Sequence, residues 1–419
     1  MDVMSQEPVP MSQEPDQAPV LPFVAAQPLV DHHCHGILRE GGDLAGLLNE
    51  ADGDAVADGT PFDSLAGLAF RRWCPPLLGL PAHASVDEYE ERRTALGGLE
   101  VNRRFLGAGG LAALCVDTGY TPADLLSPGE TAGFAGASAF EIVRLEQVAE
   151  SVARSGVSAA EFPDAYRRTL GDRAARSPSR IRAVGFKSIA AYRVGLDLDG
   201  RRPADAEVAV AAARWLGGAA DGEAGGPDRD GGTAAEDAAG PAGAAVPRLA
   251  DAVLHRFFIW CGADLGLPIQ FHVGYGDRDI DLHRCNPLLL TGLLRALEPT
   301  GVPVMLLHNY PYHREAGYLA QVFPLVYADL GLATHNVGAR AAAVLGEALE
   351  LVPLRKFLFS SDAFGLPELY YLGTQLFRQA LSAFLSARLS ADDMSYADAE
   401  RVTRLIGAEN ARRAYQLDR

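Results

Sequence analysis

Lysine is nearly absent from this chain: of 37 basic residues only Lys187 and Lys356 are lysine, and the rest are arginine. Cysteine is also sparse, five in 419 residues, an odd and widely spaced set that suits reduced thiols rather than a disulfide framework. No run approaches the roughly eighteen apolar residues that a membrane span requires. The N-terminus lacks the basic stretch and apolar core of a secretory signal, so a cytoplasmic protein with no membrane partner is expected. Net positive charge is missing too. The formal charge is −17, of which residues 1–20 and 217–246 carry −4 and −5, leaving −8 on the rest. A chain of that balance offers no electrostatic footprint for nucleic acid.

What is present is ample apolar material, 48% of the residues, enough for one large core. The first 28 residues repeat "MSQEP" at Met4 and Met11 in a Pro/Gln/Glu-rich setting, the composition of a disordered tail. Residues 29–419 then read as a single domain, with a Gly/Ala/Asp-rich surface insertion at 217–246. Within it, short apolar runs alternate with helical patterns, as in βα units around a parallel sheet. Eight such runs are counted: "PLVDHHCHG", "LAALCVDTG", "FEIVRLE", "IRAVGFKSI", "LPIQFHVG", "VPVMLLHN", "PLVYADLG" and "KFLFSSDA". The third also reads as the start of a helix, with Ser138 and Glu141 as a capping box. Eight strands close a (β/α)8 TIM barrel, here distorted by insertions.

The chemistry-bearing residues fall at the ends of these runs. His33 and His35 end the first, Lys187 the fourth, His272 the fifth, His308 the sixth and Asp362 the eighth. In a parallel barrel those ends converge on one rim, where active sites form. A lone strand histidine is most often a hydrogen-bonded core residue. The ordered set is more specific: its imidazoles and carboxylate are the ligands of a zinc-type site with an open position for water. Strand alternation puts His33 and His35 on one face and His32 and Cys34 on the other, against the helical layer, in a structural role. Asp31 shares the face of His33 and is placed to fix a neighbouring group.

These motifs resemble the amidohydrolase superfamily, in its amidohydrolase-related branch of metal-dependent TIM-barrel hydrolases. The resemblance rests on "DHHCH" from Asp31, "FHVGYGD", "LLHNYP", "SSDAFGLPELYY" and the closing "GAENARRAY". "FKSIAAYRVGL" is similar to the subgroup whose barrel is fused to a glutamine-synthetase-like domain; no second domain of that kind is expected in these 419 residues. The resemblance implies His33, His35, His272 and Asp362 as ligands of one divalent ion, with zinc expected. Asp362 then also serves as the proton acceptor for water and His308 polarises the attacked carbonyl. Two ions are implied if Lys187 is carboxylated, with His308 as a ligand. A lysine kept where the chain otherwise writes arginine favours such a role over chance.

Lys187, Arg193 and Tyr275 are the expected substrate contacts, Arg193 through a fork that can hold a carboxylate; the plain alternative for Arg193 is a surface salt bridge. Arg144, Glu146, Tyr192, Asp277, Asn309, Tyr310 and His313 lie near the same rim, and most are expected to be structural or solvated. His83, His255, His283 and His335 fall outside the strand ends, and no role is assigned to them. The expected activity is metal-dependent hydrolysis of an amide-like C–N bond in a small molecule bearing a carboxylate. A decarboxylase or isomerase on the same barrel is the alternative enzyme, and a non-catalytic ligand-binding barrel with a retained metal is the alternative outside catalysis. The partner is a small-molecule substrate, and assembly of identical copies stays open.

Overall fold

The computed structural model describes residues 20–48, 50, 59–121, 124–176, 181–218 and 246–419. Seven strands form one parallel sheet in sequential order: β1 (Leu29–Cys34), β2 (Leu111–Asp117), β3 (Ser138–Arg144), β4 (Ala183–Ser188), β5 (Ile269–Val273), β6 (Val304–His308) and β7 (Val326–Ala328). Helices connect successive strands. β1, β4, β5, β6 and β7 are buried at every position, as expected of strands covered on both faces, and this explains why they read as continuous apolar runs.

The third run is a strand, not a helix opened by a capping box at Ser138 and Glu141. It continues through Arg144, and a helix follows at once over Leu145–Arg154. The eighth run corrects the count of eight strands, because residues 356–363 form no regular strand. They are nevertheless bonded on both sides. Ala328 donates to the Lys356 carbonyl and Leu358 to that of Ala328, each at 3.0 Å; on the other flank Asp362 donates to the His33 carbonyl (3.0 Å) and His35 to that of Ala363 (2.9 Å). The ladder is irregular for two reasons. The Asp31 carboxylate takes the Ser361 N–H at 3.0 Å and its hydroxyl at 2.5 Å, where a strand would offer a carbonyl. Asp362 itself has φ +53, outside the extended region.

Two apolar clusters fill the molecule. The larger lies between strands and helices and includes Cys34. The smaller gathers alternate residues from six strands, among them Val30, Cys115, Ile142, Val184, Met305 and Tyr327, with Leu358 and with Ala411, Ala414 and Tyr415 of the C-terminal helix (Asn410–Tyr415). Alternation along β1 does not survive to its end. The register slips between Asp31 and Cys34, so His32 and Cys34 do not share an environment as strict alternation required. His32 instead meets Tyr415 (2.9 Å) and Asp329 (2.7 Å).

The last residues of the expected N-terminal tail (1–28) are not part of a tail. Residues 20–28 are built into the body: Val24 is buried in a short helix, Leu21 donates to the Ser382 hydroxyl at 2.8 Å, and Phe23 meets Tyr396 edge-on. The apolar "VLPFVA" supplies the reason, and residues 1–19 lie outside the described residues. The helix Asp205–Gly217 runs into the expected insertion, of which residues 219–245 also lie outside the described residues. Among the described residues no helix is long and apolar enough to cross a membrane.

Candidate metal centre

Because every strand is parallel, every C-terminal end points the same way, and residues far apart in sequence meet there. The Asp362 carboxylate lies at the centre. Its Oδ1 is 3.0 Å from His33 Nε2 and 3.3 Å from His35 Nε2, and its Oδ2 is 3.4 Å from His308 Nδ1. Lys187 Nζ is 3.3 Å from His33 Nε2. His33, His308 and Lys187 are all buried to within 2% exposure, so their charge states are set by the protein rather than by water.

His308 and Asp362 reach this point from strained backbone, and Asn309 beside His308 shares the strain. His308, Asn309 and Asp362 have φ of +69, +61 and +53, a region that costs non-glycine residues energy unless the surroundings enforce it. Asp329 enforces it at β6. Its Oδ1 accepts the His308 N–H at 2.6 Å, its carbonyl accepts Asn309 Nδ2 at 3.0 Å, and its Oδ2 takes the Ser360 hydroxyl at 2.7 Å. Gln270 donates to the Tyr415 hydroxyl, leaving that hydroxyl to donate to His32 Nδ1 and the Nε2–H of His32 to donate to Asp329. Gly331 completes the fit, since a Cβ there would stand 2.8 Å from His308 Nδ1.

Burial and charge together prepare these groups. Burial, reinforced by Lys187, lowers His33 to about 4, and burial takes His272 and His308 well below the usual imidazole value. The rings are therefore neutral at neutral pH, as metal ligation requires. Burial lowers Lys187 to about 8, against the attraction of Asp362 and Asp117. Burial opposes ionisation of Asp362, but His308 and the hydrogen bonds from His33 and His35 outweigh it and hold the carboxyl well below the ordinary range.

The residues read from the sequence do not all converge equally. His33, His35, His308, Lys187 and Asp362 meet. His272 lines the same cavity, its ring 4.5 Å from that of His308, but its Nε2 lies 3.1 Å from the Tyr275 carbonyl. Arg193 also lines the cavity, nearly buried; it makes the ion pair of the plain alternative, with Asp279 at 3.6 Å, but not at the open surface. The Tyr275 ring faces a neighbouring cavity instead, its hydroxyl 3.5 Å from Asn336. Glu146 is structural, holding Ser188 and His255.

Two residues were overlooked in the sequence, and a third, His335, was named there without a role. Asp117 lies close enough to His33 and His35 for all three to share an ion, although Arg144 holds its carboxylate at 2.9 Å. Asp329 positions His308, and buried His335 lines the cavity. The signal for the first two was available: each follows the same rule, a polar residue at the end of an apolar run.

A parallel α/β scaffold with buried imidazoles and a carboxylate at its strand ends defines the metal-dependent hydrolase class. The chain belongs to the amidohydrolase family, whose model matches residues 140–417. A protein from Lactobacillus casei assigned as a metal-dependent hydrolase shares 31% identity and superposes with TM-score 0.76, covering 94% of this chain and 97% of that one. Protein fluG of Emericella nidulans is 28% identical over 94% of this chain, and the chain spans about half (46%) of its length. A uronate isomerase from Thermotoga maritima shares the fold at 10% identity, with TM-score 0.58 over 94% and 96% of the two chains.

The family implies a divalent cation, and the donors here fit one. His33, His308 and Asp362 offer ligand atoms all within 4.8 Å of one another, as do His33, His35 and Asp117. His308 Nε2 is buried with no hydrogen-bond partner among the described residues, an expensive state for a polar atom that a cation relieves.

Proposed function

We propose that this protein is a metal-dependent hydrolase that cleaves an amide-like C–N bond in a small molecule carrying a carboxylate. The observation that carries the reading is the position of Asp362, within 3.0–3.4 Å of ring nitrogens on three histidines. The scaffold is read as a distorted (β/α)8 barrel with residues 356–363 as its irregular eighth member.

His33, His35, His272 and Asp362 would hold the cation, most simply zinc. When bound, such an ion supplies Lewis acidity, which brings the pKa of water toward about 7 and polarises a carbonyl. Asp362 accepts the proton of the attacking water and returns it to the leaving nitrogen. His308, neutral and fixed by Asp329, is aimed at the carbonyl oxygen on which charge develops. Arg193 in the cavity wall, with Lys187 deeper in, attracts a substrate carboxylate and orients the bond to be cut.

Isomerisation is the second reading, because the uronate isomerase shares this scaffold. Product mass decides between them: hydrolysis adds one water and releases an amine or ammonia, whereas an isomerase leaves the mass unchanged. Metal content per chain after zinc reconstitution accompanies that test. About one ion is expected with Lys187 unmodified, and about two with Lys187 carboxylated. Protein that holds no ion, or cleaves as well without one, would overturn the proposal.

A further inference from the structure

The cavity over Asp362 has a volume of about 190 Å³. That is less than the roughly 300–1,000 Å³ of pockets that enclose a whole small ligand, so it accommodates only the reacting end of a molecule. A second cavity of about 570 Å³ adjoins it, and Leu48 and Asn336 line both. The walls of the second cavity arise from the loops that carry the site: Tyr275 follows His272, Tyr310 follows His308, and Val337 ends the helix that follows β7 (Gly331–Asn336). Val344 closes one side.

The chemistry of this neighbour differs from that of the metal centre. It presents Tyr275, Tyr310, Val337 and Val344, with Asp63, Arg340 and Glu347 also in its lining, and no imidazole or carboxylate of the Asp362 cluster. Tyr310 stacks on His313 with ring planes 5° apart, and the polar edge of His313 is taken up by Glu347 at 2.8 Å. What remains is a flat wall suited to a planar apolar group.

We propose that the second cavity is the subsite for the distal part of the substrate, an apolar group of aromatic size joined by a short linker to the carboxylate-bearing end held over Asp362. Asn336 and Leu48 form the passage between the two. This inference rests on the reading of Asp362 as the reacting centre, and it names the substrate class more narrowly: an amphiphilic molecule, polar at the reacting end and apolar at the other.

The test uses binding without turnover. Butanoate and 4-phenylbutanoate share a head and a linker and differ by the ring, and their affinities for the zinc-loaded chain are measured by calorimetry. The ring is expected to tighten binding at least tenfold. Val344→Trp, which fills the subsite, is expected to erase that gain while leaving butanoate affinity and metal content unchanged. Val337→Trp, at a half-buried position, serves as the second filling variant should the first fold poorly. A gain below tenfold, or a gain that survives filling, would overturn the inference. Failure of the hydrolase reading appears separately, as absent amide cleavage or absent metal, and does not alter the affinity gap.

Discussion

The two ends of the same strands are built on opposite terms. At one end, Val30, Cys115, Ile142, Val184 and Met305 meet the C-terminal helix in a cluster of apolar side chains. At the other, a few residues further along, His33, Lys187, His272, His308 and Asp362 crowd together on backbone that includes three left-handed non-glycine residues. The first end repays burial with hydrophobic stabilisation. The second incurs desolvation and strain, and such features persist where the surrounding structure enforces them for function. Between the two lies the layer of His32, Gln270, Asp329 and Tyr415, which bonds the closing helix to the turn that carries His308.

The largest expected effect comes from the reactive end. Asp362→Asn should lower the hydrolytic rate by ~10³-fold, the scale of a lost general base, while the thermal midpoint stays within a few degrees. A variant that unfolded instead would mean that this end also carries the stability. The opposite end should answer in the opposite way. Leu358→Ala removes a fully buried member of the apolar cluster and is expected to cost ~2–5 kcal/mol in denaturant unfolding, with unchanged metal content per folded chain.

Asp329→Ala lies in the layer between and should move both readouts. Leaving the His32, Ser360 and His308 donors without their acceptor is expected to cost ~3 kcal/mol, and the turn at His308 loses its clamp. If only stability fell, His308 would be held by other contacts.

The smallest effect concerns acid. Burial lowers His335 to about 4 from 6.5, so the unfolded chain binds more protons between those values and the stability of metal-free protein falls as pH drops through that window. His335→Gln should flatten the fall by at most about 1.4 kcal/mol per pH unit, read from urea midpoints at pH 7, 5.5 and 4.5. Asp31, raised to about 7 by burial, works the other way over 3.8 to 7, since its folded form takes up protons first. An unchanged slope in the variant would place the acid sensitivity elsewhere.

The parallel sheet and the strand-end histidines were legible in the sequence because both rest on local patterns, apolar runs buried on two faces and polar residues that terminate them. The same rule covers Asp117 and Asp329, which were overlooked because an aspartate at the end of a run also serves as a turn residue. Local pattern could not place His32. It keeps the side of Val30 and meets Tyr415, whereas Cys34 packs in the other cluster beyond a register slip in β1, so the two part company where a regular strand would have kept them together.

The sequence by itself determined which residues end the strands and hence which side chains were available for a metal. Only the tertiary structure decided their relation to one another. It set Asp362 between three histidines, turned Tyr275 toward the neighbouring cavity and brought Asp329 beneath His308. The physical reason is that strand ends inherit their direction from the chain, whereas the distances between them depend on how the sheet curls and on which buried hydrogen bonds hold the turns beyond it.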